Sequence, residues 1–329
     1  MFPAIGVAMA TAAREPPAAT RATSPTRRAI PMPPNVHRPR ISVVVPTLNE
    51  ADNVRRAVES ARACASTSGC ACEVIVVDGG SADDTVACAR AAGATVLVAP
   101  KGRASQCNVG ARHATGDILL FLHADSTLPV GWALLVERAL AGTCSSSTST
   151  KPRKPAKEWG TFRFALGDDG FHENDSEKAF AKTKTKHFNS RFQRGCRRVL
   201  ETLVNARTRL FSRPYGDQGL YLQKELFSEL GGFREMCFLE DVEFVGRLRR
   251  ISAPAIVAAP VTTSPRRFNK LGYVRTSVLN TGIVCAYDIG VSVDKLHDWY
   301  VGARGMGSET ATNETATNAA DGNAVRTTD

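Results

Sequence analysis

Between residues 41 and 122 the chain alternates short apolar runs with longer segments of helical composition. The apolar runs fall at 41–45, 74–77, 95–99 and 118–122, and the segments 51–63, 82–92 and 104–114 between them read as helices. Pro46 stops the first run, Asp78-Gly79-Gly80-Ser81 closes the second, Gly93 sits where a helix C′ residue belongs, and Asn49 is placed as an N-cap. Near-continuous apolar strands alternating with helices predict an α/β fold with a mostly parallel sheet covered on both faces. Ligands of such sheets bind beyond the carboxyl ends of the strands, and Asn49, Asp78 and Asp125 each follow a strand end.

Past residue 122 the pattern loosens. The sequence predicts a strand at 159–166, a long helix at 188–211, a turn at Gly216-Asp217-Gln218, a strand at 220–222, and helices at 224–230 and 240–250. A Thr, Ser, Lys and Pro insertion occupies 143–157, and a second polar stretch occupies 167–187. One domain is expected, from 41 to 302. Residues 1–40, rich in Ala, Pro and Arg and almost free of acids, have the composition of an organelle transit peptide or a disordered extension, and 303–329 reads as a disordered tail. A transit peptide would place the protein in a chloroplast or mitochondrion; without one the expectation is cytoplasmic.

Composition changes this picture mainly through charge. The chain has 329 residues, 43% hydrophobic and 22% charged, with a net charge of +10. About half of that charge lies in 1–40, which carries +5; the tail carries −2 and the central domain +7. With no Lys/Arg-rich helix interleaved with aromatics, the excess suits a small anionic substrate, and no nucleic-acid partner is expected. Nine Cys without paired C-x₂-C spacing read as reduced thiols. No run of eighteen uncharged apolar residues occurs, and the apolar stretch 271–293 is broken by Arg275 and Asp288. A spanning helix is therefore not predicted, while the basic, weakly apolar 266–293 region permits peripheral membrane contact.

The strings ISVVVPTLNEADN, VIVVDGGSADDT, GRASQCNVGARHATGD and LLFLHAD, in that order, resemble family 2 glycosyltransferases of the GT-A fold. With WGTFRF, GDQGLYL, GGFREMCFLEDVEFVGRLRR and TSPRRF, the chain is most similar to a bacterial branch named radical-SAM/selenodomain-associated transferase 2, over roughly 41–300. The resemblance implies a Rossmann-like sheet that binds a nucleotide sugar donor, and inverting transfer of the sugar to a hydroxyl acceptor. It also implies a divalent cation, Mg²⁺ or Mn²⁺, at Asp125, the last acid of a D-x-D motif. His123 stands in the place of the first acid. Donor contacts are implied for Pro46, Asn49, Glu50, Asp78, Arg103, Gln106, Asn108, His123, Asp125, Arg266 and Arg267. Acceptor or sugar contacts fall to Asp217 and Gln218. The E-D motif in FLEDVEF gives Asp241 as the base and Glu240 as its neighbour.

Elementary chemistry supports the same residue types. A leaving diphosphate needs counter-charge, which a strand-end carboxylate with a metal and an arginine near a helix N-terminus supply. An attacking hydroxyl needs one positioned carboxylate base. Asp83 and Asp84 fit helix caps, and Phe268, Trp299 and Tyr300 fit packing. The chain departs from the family pattern at Gly79, where many members have a second, base-reading acid, and at Phe268, where processive members have Trp. Two other readings stay open. A nucleotidyltransferase usually has a Gly-rich basic loop after the first strand, here PTLNE; a non-catalytic nucleotide-sugar-binding protein would have lost Asp125 or Asp241, and both are present.

Overall fold

The first apolar run becomes strand β1, Ile41–Thr47, with all seven residues buried. In this computed structural model the described residues are 39–63, 71–141, 156–167 and 189–303, with only the backbone of 189–193, 267, 270 and 271. The expected N-terminal extension, the insertion at 143–157 and the C-terminal tail lie almost entirely outside them. β1 runs through Pro46 because that residue sits past the last β1 pairing with the 118–121 strand, Val44 with Phe121. Only one neighbouring strand remains at that level, an edge-like position where a residue without an N–H is tolerated.

Helix α1 (Ala51–Arg62) follows, then β2 (Cys72–Asp78), α2 (Thr85–Ala91), β3 (Thr95–Val98), α3 (Arg103–His113) and β4 (Ile118–Phe121). These elements match the sequence reading closely. The N-cap of α1 is Glu50 rather than Asn49, which adopts a left-handed φ of 54° in the turn before it. Next come β5 (Ser126–Thr127), α4 (Trp132–Leu140), β6 (Trp159–Leu166), α5 (Asn189–Phe211), a 3-10 turn at Gly216–Gln218, β7 (Leu220–Gln223), α6 (Lys224–Glu229) and α7 (Glu240–Ile251). The chain continues through β8 (Ala255–Thr263), α8 (Arg266–Leu271), α9 (Tyr273–Asp288) and α10 (Val293–Ala303).

One eight-stranded sheet has the order β3-β2-β1-β4-β7-β6-β8-β5. The β3-β2-β1-β4 half is parallel, as expected; β7 then runs antiparallel to both β4 and β6, and β5 antiparallel to β8, so the whole sheet is mixed. The α/β class holds, with helices on both faces. Side chains of β1, β2 and β4 alternate strictly between the two cores: Val43, Val76 and Leu120 join one, and Val44, Ile75 and Leu119 the other. This is the period of two expected of strands buried on both faces.

Strand β8 was hidden in the sequence by Pro254 just before it and Pro260 within it. Its pairing with β6 jumps from Phe162 opposite Val257 to Arg163 opposite Pro260, so Pro260 sits at an irregularity where the ladder is already interrupted. β6 approaches its neighbours closely at Gly160, where a Cβ would lie 2.1 Å from the Ala255 carbonyl oxygen and 2.4 Å from Tyr221 Oη. Gly160→Ala is expected to cost at least about 1–3 kcal/mol, read as a fall of several degrees in Tm; an unchanged Tm would contradict this register.

Cys72 is disulfide-bonded, which corrects the expectation of reduced thiols throughout. Cys88, Cys107, Cys196, Cys237 and Cys285 are free. Among the described residues no helix is long and apolar enough to cross a membrane.

Candidate active site

The carboxyl ends of β1, β3, β4 and β8, the 3-10 turn before antiparallel β7, and the first turn of α7 all reach one edge of the sheet. There they border a cleft with two lobes. The polar lobe, about 310 Å³, is lined by Pro46, Glu50, Lys101, Gln106, Cys237 and Glu240, among others. The second lobe, about 110 Å³, is walled by Tyr215, Phe238, Phe268, Ile283, Val284 and Tyr300, with Asp217 and Asp241 on its floor. Arg103, His123 and Asp125 line both lobes and mark where they join.

Arg103 opens α3, and its Nε lies 2.5 Å from Glu240 Oε1. Burial favours the neutral guanidinium, but Glu240 and then Asp241 outweigh it and hold Arg103 charged. Glu240 is only 5% exposed; burial and the adjacent Asp241 raise its carboxyl above the usual range, against the pull of Arg103. The same burial, reinforced by Glu240, keeps Cys107 a thiol.

Asp241 is the second residue of α7, and two backbone amides fix its carboxylate. Gly216 N donates to Oδ2 at 2.7 Å, and Val242 N donates to Oδ1 at 2.9 Å. A Cβ on Gly216 would come within 2.8 Å of His123 Nε2 and 3.1 Å of Asp241 Oδ2, so both groups close on this glycine.

Several expected ligand residues instead belong to the framework. Asp78 is 2% exposed and shapes its own turn, accepting from Gly80 N and Ser81 N at 2.9 and 2.8 Å and from Ser81 Oγ at 2.5 Å. Gln218, fully buried, accepts from Thr208 Oγ1 and donates to the Phe162 carbonyl. Asn108 clamps the Gly-Gly-Phe loop, donating to the Phe233 carbonyl at 2.8 Å and accepting from Phe233 N at 2.9 Å. Asn49 accepts from Ala82 N at 2.8 Å and ties the first loop to the second. For Asp78, Asn108 and Asn49 a backbone group in a turn or loop needs a partner, and the polar side chain supplies it.

Gln106 borders the polar lobe while its amide donates to the carbonyls of Thr47 and Val77, both at 2.7 Å, pinning β1 to β2. It also lies against Gly79, where a Cβ would come within 3.1 Å of the Gln106 amide nitrogen. The place of the family's second acid is therefore closely backed by Gln106. Glu50 borders the polar lobe and accepts from Arg266 Nη2 at 2.8 Å, linking the first loop to the start of α8. The Arg267 side chain lies outside the described residues. Asp83 accepts from Thr85 N and Ala51 N just before α2, whose N-cap is Asp84 without a side-chain capping bond.

The cleft could hold a divalent cation in one way. Among the described residues no group of three or more His, Cys, Asp or Glu is arranged to hold a metal by itself. Mg²⁺ commonly takes one or two protein carboxylates and completes its shell with substrate phosphates and water. Asp125, with His123 beside it where the lobes join, fits such a donor set, and an imidazole suits Mn²⁺ better than Mg²⁺.

Sequence reasoning missed the apolar wall. Phe238 packs on Tyr300 with ring centroids 4.7 Å apart, and the Arg207 guanidinium lies 3.4 Å over the Tyr215 ring. Ile283 and Val284 come from one helix and Tyr300 from the next, and each looks like an ordinary core residue in sequence.

Residues 42–203 match the family model described as Glycosyl transferase family 2. An uncharacterised glycosyltransferase of Mycobacterium tuberculosis is 38% identical over 90 residues, 26% of this chain and 34% of the relative. The undecaprenyl-phosphate 4-deoxy-4-formamido-L-arabinose transferase of Klebsiella pneumoniae is 33% identical over 98 residues, 27% of this chain and 30% of the relative. The match thus spans about a third of the length of these curated relatives. Among solved structures, a Pyrobaculum calidifontis mannosyltransferase in complex with GDP-Man and Mn²⁺ aligns at 19% identity and TM-score 0.45, covering 86% of this chain and 80% of that one. The M. tuberculosis glucosyl-3-phosphoglycerate synthase in complex with Mg²⁺ and UDP aligns at 18% identity and TM-score 0.42, covering 73% and 78%.

Proposed function

We propose that this protein moves a sugar from a nucleoside diphosphate donor to an acceptor hydroxyl by a single inverting displacement. The observation that carries this reading is the division of the cleft: Arg103, His123 and Asp125 border both lobes, and Asp241 lies on the floor of the apolar one. The donor occupies the polar lobe with its diphosphate against Arg103, which Glu240 orients. The acceptor enters the apolar lobe, whose aromatic and aliphatic wall suits a molecule with an apolar portion next to the reacting hydroxyl.

Asp241 takes the hydroxyl proton as the acceptor oxygen bonds to the anomeric carbon. The bond from that carbon to the diphosphate oxygen breaks, and its electron pair leaves with the nucleoside diphosphate. Asp125, with His123, would hold a divalent cation that supplies counter-charge to the departing group. Arg103 adds a fixed positive charge on the same group, placed before reaction and so costing no reorganisation. Because its two amide donors hold Asp241 still, the base meets the hydroxyl in one orientation.

The test incubates the full chain with UDP-, GDP- and dTDP-sugars, Mn²⁺ and amphipathic alcohols, and follows products by proton NMR. The expected product has the anomeric configuration opposite to the donor's. Retention would remove Asp241 from the role of base in a single displacement, and no transfer or hydrolysis of any donor would overturn the reading.

A further inference from the structure

A second concavity, about 510 Å³, lies between the later turns of α7, the segment before the 3-10 turn and the end of α9. Five arginines line it: Arg213, Arg234, Arg247, Arg249 and Arg250. Only two acids accompany them, Glu243 and Asp288, and both are engaged. Glu243, whose side chain is 8% exposed, accepts from Arg247 at 2.8 Å and pairs with Arg234 at 3.2 Å. Asp288 takes both terminal nitrogens of Arg213, each at 2.5 Å. That hydrogen bonding, helped by Arg249, holds the Asp288 carboxyl below its usual range.

The formal charge of the lining groups is therefore +3, and the two acids also fix in place the guanidinium groups they pair with. Arg247 is also anchored by the carbonyls of Leu230 and Gly232 and lies over the Phe244 ring. Last-turn arginines alone would be explained by the negative end of the helix dipole, which accounts for Arg249 and Arg250. It does not account for Arg213 and Arg234, which come from other segments and face the same space. Arg213 and Arg247 spend most of their donors on Asp288, Glu243 and two carbonyls and so form a fixed cationic wall, beside which the exposed guanidinium groups of Arg249 and Arg250 suit phosphate oxygens.

We propose that this pocket binds a phosphate-bearing anion, carried either by a soluble metabolite or by a lipid headgroup at a membrane surface. Of its lining residues only Val242 is shared with the apolar lobe, so the pocket flanks the helix that carries Asp241 without entering the catalytic cleft.

The test titrates inorganic phosphate into the full chain by calorimetry, at fixed ionic strength with EDTA, and measures co-sedimentation with phosphatidylcholine vesicles with and without one-fifth phosphatidic acid. Wild type is expected to bind one or both probes, and the exposed double variant R249Q/R250Q to bind at least tenfold more weakly with an unchanged Tm. Saturable phosphate binding identifies the metabolite source, and binding confined to phosphatidic acid vesicles identifies the lipid source. The proposal is overturned if neither probe binds. It is equally overturned if R249Q/R250Q binds as wild type does while Arg103→Gln does not, since the anion would then sit in the catalytic cleft.

Discussion

Asp241→Asn is expected to lower kcat by about 10²–10⁴-fold, the usual worth of a positioned general base, while nucleotide affinity stays within a factor of two. The carboxylate accepts one backbone N–H on each oxygen, from Gly216 and from Val242. An amide at the same place keeps one of these bonds and sets its NH₂ against the other donor. The variant therefore also loses roughly 1–2 kcal/mol of stability, and its Tm falls by a few degrees without unfolding at assay temperature. Single-turnover kinetics with a saturating donor separate the two effects. A kcat within threefold of wild type would show that another group takes the hydroxyl proton. Glu240→Gln gives the contrast: it weakens the hold on Arg103, so its main effect falls on donor KM.

The second large effect is expected at Asp125. Asp125→Asn should reduce kcat/KM for the donor by about 10²-fold or more, on the scale of losing one principal charge stabiliser of the leaving group. The fold should be unaffected, because Asp125 is half-buried and, among the described residues, its side chain makes only a 3.4 Å contact with Ser126 Oγ, while its backbone carbonyl, retained in the variant, accepts from Ser264 N. Raising Mn²⁺ should recover part of the lost activity in the variant and little in wild type. Activity that is near normal at saturating donor would contradict the assignment. His123→Ala is expected to do less, since its imidazole is the weaker of the two candidate ligands for Mg²⁺.

The parallel half of the sheet was legible in the sequence because β1, β2 and β4 are buried on both faces and so appear as unbroken apolar runs. β8 was not legible: Pro254 and Pro260 argue locally against a strand, and only its pairing with β6 shows where the second can be accommodated. Of the residues singled out by motif, Arg103, His123, Asp125 and Asp241 line one cleft. Asp78, Asn108 and Gln218 carry motif-like identities as well, yet they turn inward to serve Ser81, Phe233 and Thr208. Which way a polar side chain at a strand end points depends on which nearby backbone groups lack partners, and that is settled by tertiary contacts. The apolar lobe was invisible for the opposite reason, since Ile283 and Tyr300 have the identity and burial of any core residue.

The coupling between nucleotide and metal tests the cleft's role most directly. Thermal melts of the full chain with UDP and with GDP, each with and without Mn²⁺, report binding to the folded state; a ligand at 100 times its Kd adds about 2.7 kcal/mol. Because the described residues build no metal cage of their own, Mn²⁺ alone should shift Tm little, a nucleotide alone modestly, and the two together by more than the sum. Asp125→Asn should abolish that excess. Stabilisation by neither nucleotide, or a shift that is the same with and without Mn²⁺ and unchanged by Asp125→Asn, would contradict the assignment of the cleft to a metal-assisted nucleoside diphosphate donor.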